Sequence, residues 1–236
     1  MLPDQERICS GPLPERGARV AVGVRYFRGY DQWHAGIAYR TDDGEAARWI
    51  HLENDLQLTD VALDDDAVGW RWHYVWVEPV MTPEKAREIA QVCRRVARCV
   101  ADEGQRVRYS VRHHLGRFDA DTGRYMPAAG ERGLTCATCV LALCRGGGFE
   151  LVDIASWPPR EEDGPWIASV VTRLGRRDAA HAADVASDGL CARFRPTEVA
   201  GACLAPTLPI AFAEAVKLAE TLRARYAEHF PAPRDL

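Results

Sequence analysis

From Ala18 to Phe27 the chain reads ARVAVGVRYF, an alternation of apolar and polar positions that predicts a half-buried strand. WHAGIAYR (33–40) repeats the pattern, and TDDGEA supplies an Asp-Gly step that suits a hairpin turn. ARWIHLE (47–53) is the predicted return strand, and the aromatic, β-branched run WRWHYVWVEPV (70–80) is a further one. At 82–104 the period changes to that of a helix. Ile89, Val92, Val96 and Val100 share one side, Thr82 is placed to cap it, Pro83 suits its first turn, and Gly104 can end it. The segment 105–118 reads as strand and loop, and the polar loop that follows leads into GLTCATCVLALCRGGGF (133–149), a short helix of small and apolar residues. SWPPREEDGP breaks the chain near 156–165. Beyond it the spacing predicts helices over 164–175, 179–187, 196–203 and 207–229. Strands first, then a mixture, then helices, predict an α+β fold. It divides into an irregular arm (1–17), a core (18–155) and a helical C-terminal extension (156–236).

The balance of the 236 residues, with 47% apolar and 27% charged, is that of a globular chain able to bury a sizeable core. The net charge of −4 is spread evenly, and no basic block tracks phosphates, so a nucleic-acid partner is not expected. No apolar run reaches the length of a membrane span, and the N-terminus lacks a signal-like core. A cytoplasmic location with reduced thiols is the expectation, export without a cleaved signal staying open.

Two groups of residues carry candidate chemistry. In the hairpin, His34, Gly36 and Ala38 share one strand face, and Trp49, His51 and Glu53 share a face of the return strand. The small residues beside His34 imply open room above the sheet. Cross-strand reach brings His34 and His51 together. The bland reading is that each is a satisfied, partly buried histidine. Of the others, His73 lies among aromatics and reads as structural, His113 and His114 point to opposite sides, and His181 and His229 read as surface positions.

The second group is the cysteine-rich helix, where Thr135 is the expected cap and Cys136 the first helical residue. Free backbone N–H groups and the helix dipole favour an anion there, and the thiolate is the nucleophilic form of cysteine. Cys139 and Cys144 follow a buried stripe and read as small apolar filler. A nucleophilic thiol needs a base and a group to orient that base, for which His34 and His51 are available.

These residues resemble a family. HAGIAY, followed by a strand with an inward polar residue, is similar to the NlpC/P60 superfamily of papain-like cysteine hydrolases. The cysteine helix here follows the histidine strand, as in the circularly permuted branch related to lecithin:retinol acyltransferase-like enzymes. TCATCV looks like the cysteine segment of that branch, with Thr135 where an Asn is usual. The resemblance covers roughly 18–155. It implies a permuted papain-like core, an antiparallel sheet packed on the cysteine helix, with Cys136 as nucleophile, His34 as base and His51 as orienting residue. It implies a cysteine-dependent hydrolase or acyltransferase that acts on an amide, isopeptide or ester carbonyl through an acyl-enzyme, with no cofactor and no metal. The oxyanion would be held by the Cys136 N–H and by a tyrosine, with Tyr39 and Tyr26 as candidates. The substrate would be peptide-like or acyl, and the C-terminal helices could receive a protein partner.

Other readings stay open. ICSGPL at Cys9 imitates the cysteine motif of unpermuted members, but Pro12 and Pro14 forbid the long helix it should begin. Cys136 and Cys139 form a C-x-x-C that Cys144 or His113 could complete as a metal site, though no second ligand pair stands at standard spacing. The same spacing suits a redox pair. A catalytically inactive papain-like module that binds a protein is the alternative outside chemistry.

Overall fold

A computed structural model describes residues 8–10, 20–28, 31–42, 45–63 and 74–230. Residues 70–73 of the strand predicted at 70–80, His73 included, lie outside them. The fold is α+β. Its main sheet is antiparallel and six-stranded, in the order β1 (Ile8–Ser10), β6 (Val75–Val77), β2 (Val20–Phe27), β3 (Gln32–Tyr39), β4 (Arg48–Asn54), β5 (Gln57–Ala62). β1 lies in the segment read as an irregular arm: Ile8 pairs with Val77 and Ser10 with Val75. β5 was not foreseen; it returns directly from β4, with Leu56 taking the turn at positive φ.

The alternation assigns the two faces. Val22 and Val24 on β2, Ala35, Ile37 and Tyr39 on β3, and Ile50 and Leu52 on β4 face the main core. α1 (Pro83–Glu103), α2 (Cys136–Gly146) and α5 (Pro196–Ala202) bury Val92, Val96, Val140, Leu143 and Val199 in that same core. The Thr82 hydroxyl accepts the Lys85 N–H, and Gly104 ends α1 in the left-handed conformation, as the sequence predicts. α6 (Phe212–His229) adds Ala215, Leu222 and Tyr226, so the C-terminal helices share the core of the sheet. The helix expected to start at 207 starts at Phe212, because Pro209 interrupts it and Ile210 instead bridges to Val152.

The opposite face carries Ala21, Ala38, Trp49, Tyr74 and Trp76 as a small aromatic layer. Here the expectation of open room beside His34 is corrected. A Cβ on Gly36 would lie 2.6 Å from Trp49 Cζ2, and one on Gly23 would lie 2.6 Å from Trp76 Cζ3. The small residues make space for indole rings, which fill it.

α3 (Gly164–Gly175) and α4 (Ala179–Ser187) form a satellite cluster around Val111, Ile167, Val170 and Val185. His181, expected at the surface, is buried there. Its Nε2 lies 2.9 Å from the Tyr109 carbonyl, which gives the ring a polar partner inside. The segment 105–118 is mostly loop. Tyr109 bridges to Leu134, and β7 (Arg117–Phe118) pairs with β8 (Tyr125–Met126) in a two-stranded ribbon. Buried Glu131 ties this loop together: it accepts the N–H groups of His114, Gly116 and Ala128 and lies 3.1 Å from His113 Nδ1.

Candidate active site

The helix α2 begins as the sequence predicts. Thr135 is extended, its hydroxyl accepts the Thr138 N–H, and the Thr138 hydroxyl accepts the Thr135 N–H in a reciprocal capping box. This fixes Cys136 at the first helical position, where backbone N–H groups lack intrahelical partners. The residue is buried, with 7% of its surface exposed.

The sulfur sits at a gap in the sheet. β3 and β4 pair from Tyr39–Arg48 to Ile37–Ile50, where the ladder stops. Ala35 and Leu52 would continue it. Instead the Ala35 N–H points to the Cys136 sulfur and the Leu52 N–H to the Cys139 sulfur. A ladder that opens would leave two buried donors without acceptors. The two cysteines of the C-x-x-C satisfy them and wedge the strands apart. Cys139, read from sequence as apolar filler, is thus also a hydrogen-bond acceptor.

The imidazoles rise beside the same gap, from the face that α2 does not cover. His34 Nε2 and His51 Nδ1 are 2.7 Å apart, and the two rings meet edge to face at a centroid separation of 4.9 Å. Phe27 flanks His34, and Trp49 flanks His51. Strand N–H groups lie in the plane of a sheet, so the sulfur at the Ala35 amide occupies the edge between the two faces, one residue from His34. Among the described residues no hydrogen bond joins the sulfur to either ring.

Burial dominates the ionisation of all three groups. It pushes the Cys136 thiol above its ordinary value, although the N–H groups of Ala35 and Ala137, the charge of Arg193 and its own N–H act the other way. Burial lowers His34 well below the usual imidazole range, helped by His51 and Arg25. It brings His51 down to about 4. At neutral pH the trio therefore holds a thiol and two neutral imidazoles. In the hydrogen bond between them one ring donates and the other accepts. If His34 Nδ1 is kept free to receive a proton, His34 carries its hydrogen on Nε2 and donates it to His51 Nδ1.

Both tyrosines named from the sequence have carboxylate partners of their own. The Tyr39 hydroxyl donates to Asp60 at 2.9 Å, and that of Tyr26 donates to Asp31. The thiolate charge acts on the phenols of Tyr109 and Tyr74, and the Tyr109 hydroxyl makes no hydrogen bond among the described residues. Tyr109 sits in an aperiodic segment, and only its bridge to Leu134, just before Cys136, reveals the relation.

The remaining candidates do not join the site. Cys144 lies further along α2, in the core, and His113 is engaged by Glu131. Among the described residues no group of His, Cys, Asp or Glu is arranged to hold a metal ion. None of their helices is long and apolar enough to cross a membrane. The side chain of Cys9 lies outside the described residues. No family model matches the chain, no curated protein matches it, and no solved structure matches it.

Proposed function

We propose that this protein is a cysteine-dependent acyl hydrolase or acyltransferase with a permuted papain-like core, acting on a peptide-like or acyl carbonyl through a thioester. The observation that carries the reading is the 2.7 Å bond between His34 and His51, at the gap in the sheet where the Cys136 sulfur takes up the Ala35 N–H. A structural histidine pair has no need of a thiol at a helix start beside it.

The chemistry follows from the ionisation states. His34 Nδ1 takes the proton from the Cys136 thiol as the sulfur attacks the carbonyl carbon, and the His34 Nε2–H held by His51 fixes the ring for that transfer. Contacts of this kind are long in a free enzyme and tighten in the complex. The oxygen of the tetrahedral intermediate gains a negative charge. The Cys136 N–H at the helix start and the Tyr109 hydroxyl are its donors. The proton on His34 passes to the departing amine or alcohol. Water, amine or alcohol then enters, gives a proton to His34 and attacks the thioester, which releases the acyl group and restores the thiol.

The test is covalent. A chloromethyl ketone or similar electrophile should modify Cys136 in the wild type, with the adduct located by peptide mass spectrometry. Cys136→Ser should lose it, and His34→Ala should slow it by roughly 10²-fold or more, the usual contribution of a general base. Labelling of Cys136 no faster than that of a free thiol, and indifferent to His34, would leave the protein-binding alternative.

A further inference from the structure

A cluster of ions in the chain segments around α3 and α5 bears on the same site. Asp163 is fully buried and takes Nε of Arg160 at 2.9 Å, Nη1 of Arg193 at 3.0 Å and Nη2 of Arg195 at 2.9 Å. Glu198, also buried, takes Arg160 Nη1 and accepts the Arg195 N–H at 3.0 Å. Three guanidiniums thus share two buried carboxylates, and the one further acid, Glu162, is 3.5 Å from Arg195 at the exposed rim. With Glu162 counted the charges balance, but that acid is exposed, and Arg193 shares its one buried carboxylate with Arg160 and Arg195.

The unused donors have a definite address. Arg160 and Arg195 each commit several donors to the cluster, whereas Arg193 commits Nη1 alone. Its guanidinium lies over the Trp166 ring at 3.8 Å, and 19% of its side chain is exposed. Among the described residues Nε and Nη2 have no hydrogen-bond partner. Those two atoms form one edge of the guanidinium, the fork that receives a carboxylate through two parallel bonds. Trp166 packs on the same satellite cluster as Tyr109, and Tyr109 is bridged to Leu134 beside Cys136. The field of Arg193 reaches both the sulfur and the Tyr109 phenol; Arg173 adds to it at the phenol.

We propose that Arg193 is a specificity-determining residue, whose free Nε–Nη2 edge receives a carboxylate borne by the substrate close to the carbonyl that Cys136 attacks. The substrates are then acidic amides or esters. Trp166 and Asp163 hold the guanidinium in place, so its fork is organised before the substrate arrives. This inference rests on the thiol chemistry proposed above.

Two small alkylating agents test it without knowledge of the natural substrate. Iodoacetate carries a carboxylate next to its reactive carbon; iodoacetamide does not. Rates at Cys136 are followed by peptide mass spectrometry, with free glutathione as the reference thiol. The ratio of iodoacetate to iodoacetamide rates should exceed that of glutathione by roughly three- to tenfold at low salt and shrink at 0.5 M NaCl. Arg193→Gln should bring the ratio back to the reference, and Arg193→Lys, which keeps the charge without the fork, should retain part of it. Taking a ratio removes any change in thiolate fraction, and circular dichroism checks that each variant is folded. A wild-type ratio equal to that of glutathione overturns the carboxylate site and leaves the thiol chemistry standing. Failure of both reagents at Cys136 overturns the two together.

Discussion

His34 Nε2 and His51 Nδ1 stand 2.7 Å apart across a hairpin, a contact in which one imidazole must donate and the other accept. In the proposed chemistry His34 gives its Nε2 hydrogen and keeps Nδ1 free as the base, and His51 accepts that hydrogen and holds the ring in place. His51→Ala should therefore slow Cys136 modification by roughly 10²-fold, while His51→Asn, which still offers an oxygen acceptor, should recover part of the rate. Equal losses in both variants, with unchanged pH dependence, would mean that His51 only fills space.

The burial that raises the Cys136 pKa and lowers that of His34 predicts how reactivity varies with pH. A thiolate–imidazolium pair would give a rate plateau reaching into acid. Here both partners are neutral, so the iodoacetamide rate at Cys136 should climb about tenfold per pH unit from pH 6 to 8. Thiolate absorbance at 240 nm assigned to Cys136 should be absent at pH 7. A plateau below pH 7 would contradict this arrangement of charges.

Gly36 should tolerate no side chain. Its added Cβ would lie 2.7 Å from both His51 Cβ and the Ile50 carbonyl, as well as against Trp49. Gly36→Ala should lower stability by about 1–3 kcal/mol through overpacking, and it should reduce Cys136 reactivity further by displacing His51. Urea unfolding and the labelling rate measure the two effects separately.

Cys139→Ala should expose the second role of that sulfur. Loss of the acceptor leaves the Leu52 N–H buried without a partner, a change that lowers stability by about 1–3 kcal/mol. Cys139→Ser, which keeps an acceptor, should retain more of the stability. Labelling of Cys136 should persist in both, since Cys139 is not part of the proposed proton path.

Acid should destabilise the fold before the carboxylates titrate. In the unfolded chain His51 takes a proton near pH 6.5, whereas folded it stays neutral down to about 4. Between those limits the unfolded state binds more protons. Stability is thus complete above pH 6.5 and falls as the pH drops towards 4, by on the order of 3 kcal/mol for this residue. His34 and His113, also lowered by burial, act in the same direction. Chemical denaturation at pH 7.5 and 4.5 measures the loss, and His51→Asn should reduce the difference.

The parts of this site that were legible in the sequence are those that follow a period. Alternation placed His34 and His51 on one face, and the Thr135 cap placed Cys136 at a helix start. Irregular segments were opaque. Tyr109 and Arg193 lie in stretches with no repeat to orient a side chain, and it is a long-range bridge to Leu134 that ties Tyr109 to the start of the cysteine helix. The opening of the β3–β4 ladder was equally hidden, because the pattern of HAGIAY and WIHLE is the same for strands that pair to the end and strands that part. The small residues Gly36 and Ala38 were read as vacancy because composition reveals how little a residue fills and nothing of what neighbour leans in.

An amide that relies on sulfur for its hydrogen bond keeps that bond only while the sulfur retains its electron density. In the proposed chemistry, formation of a thioester would draw that density into the acyl group and release the Ala35 N–H at the moment when a second tetrahedral oxygen is about to appear. The wedge that holds the strands open would thereby supply deacylation with a donor that the free thiol keeps occupied.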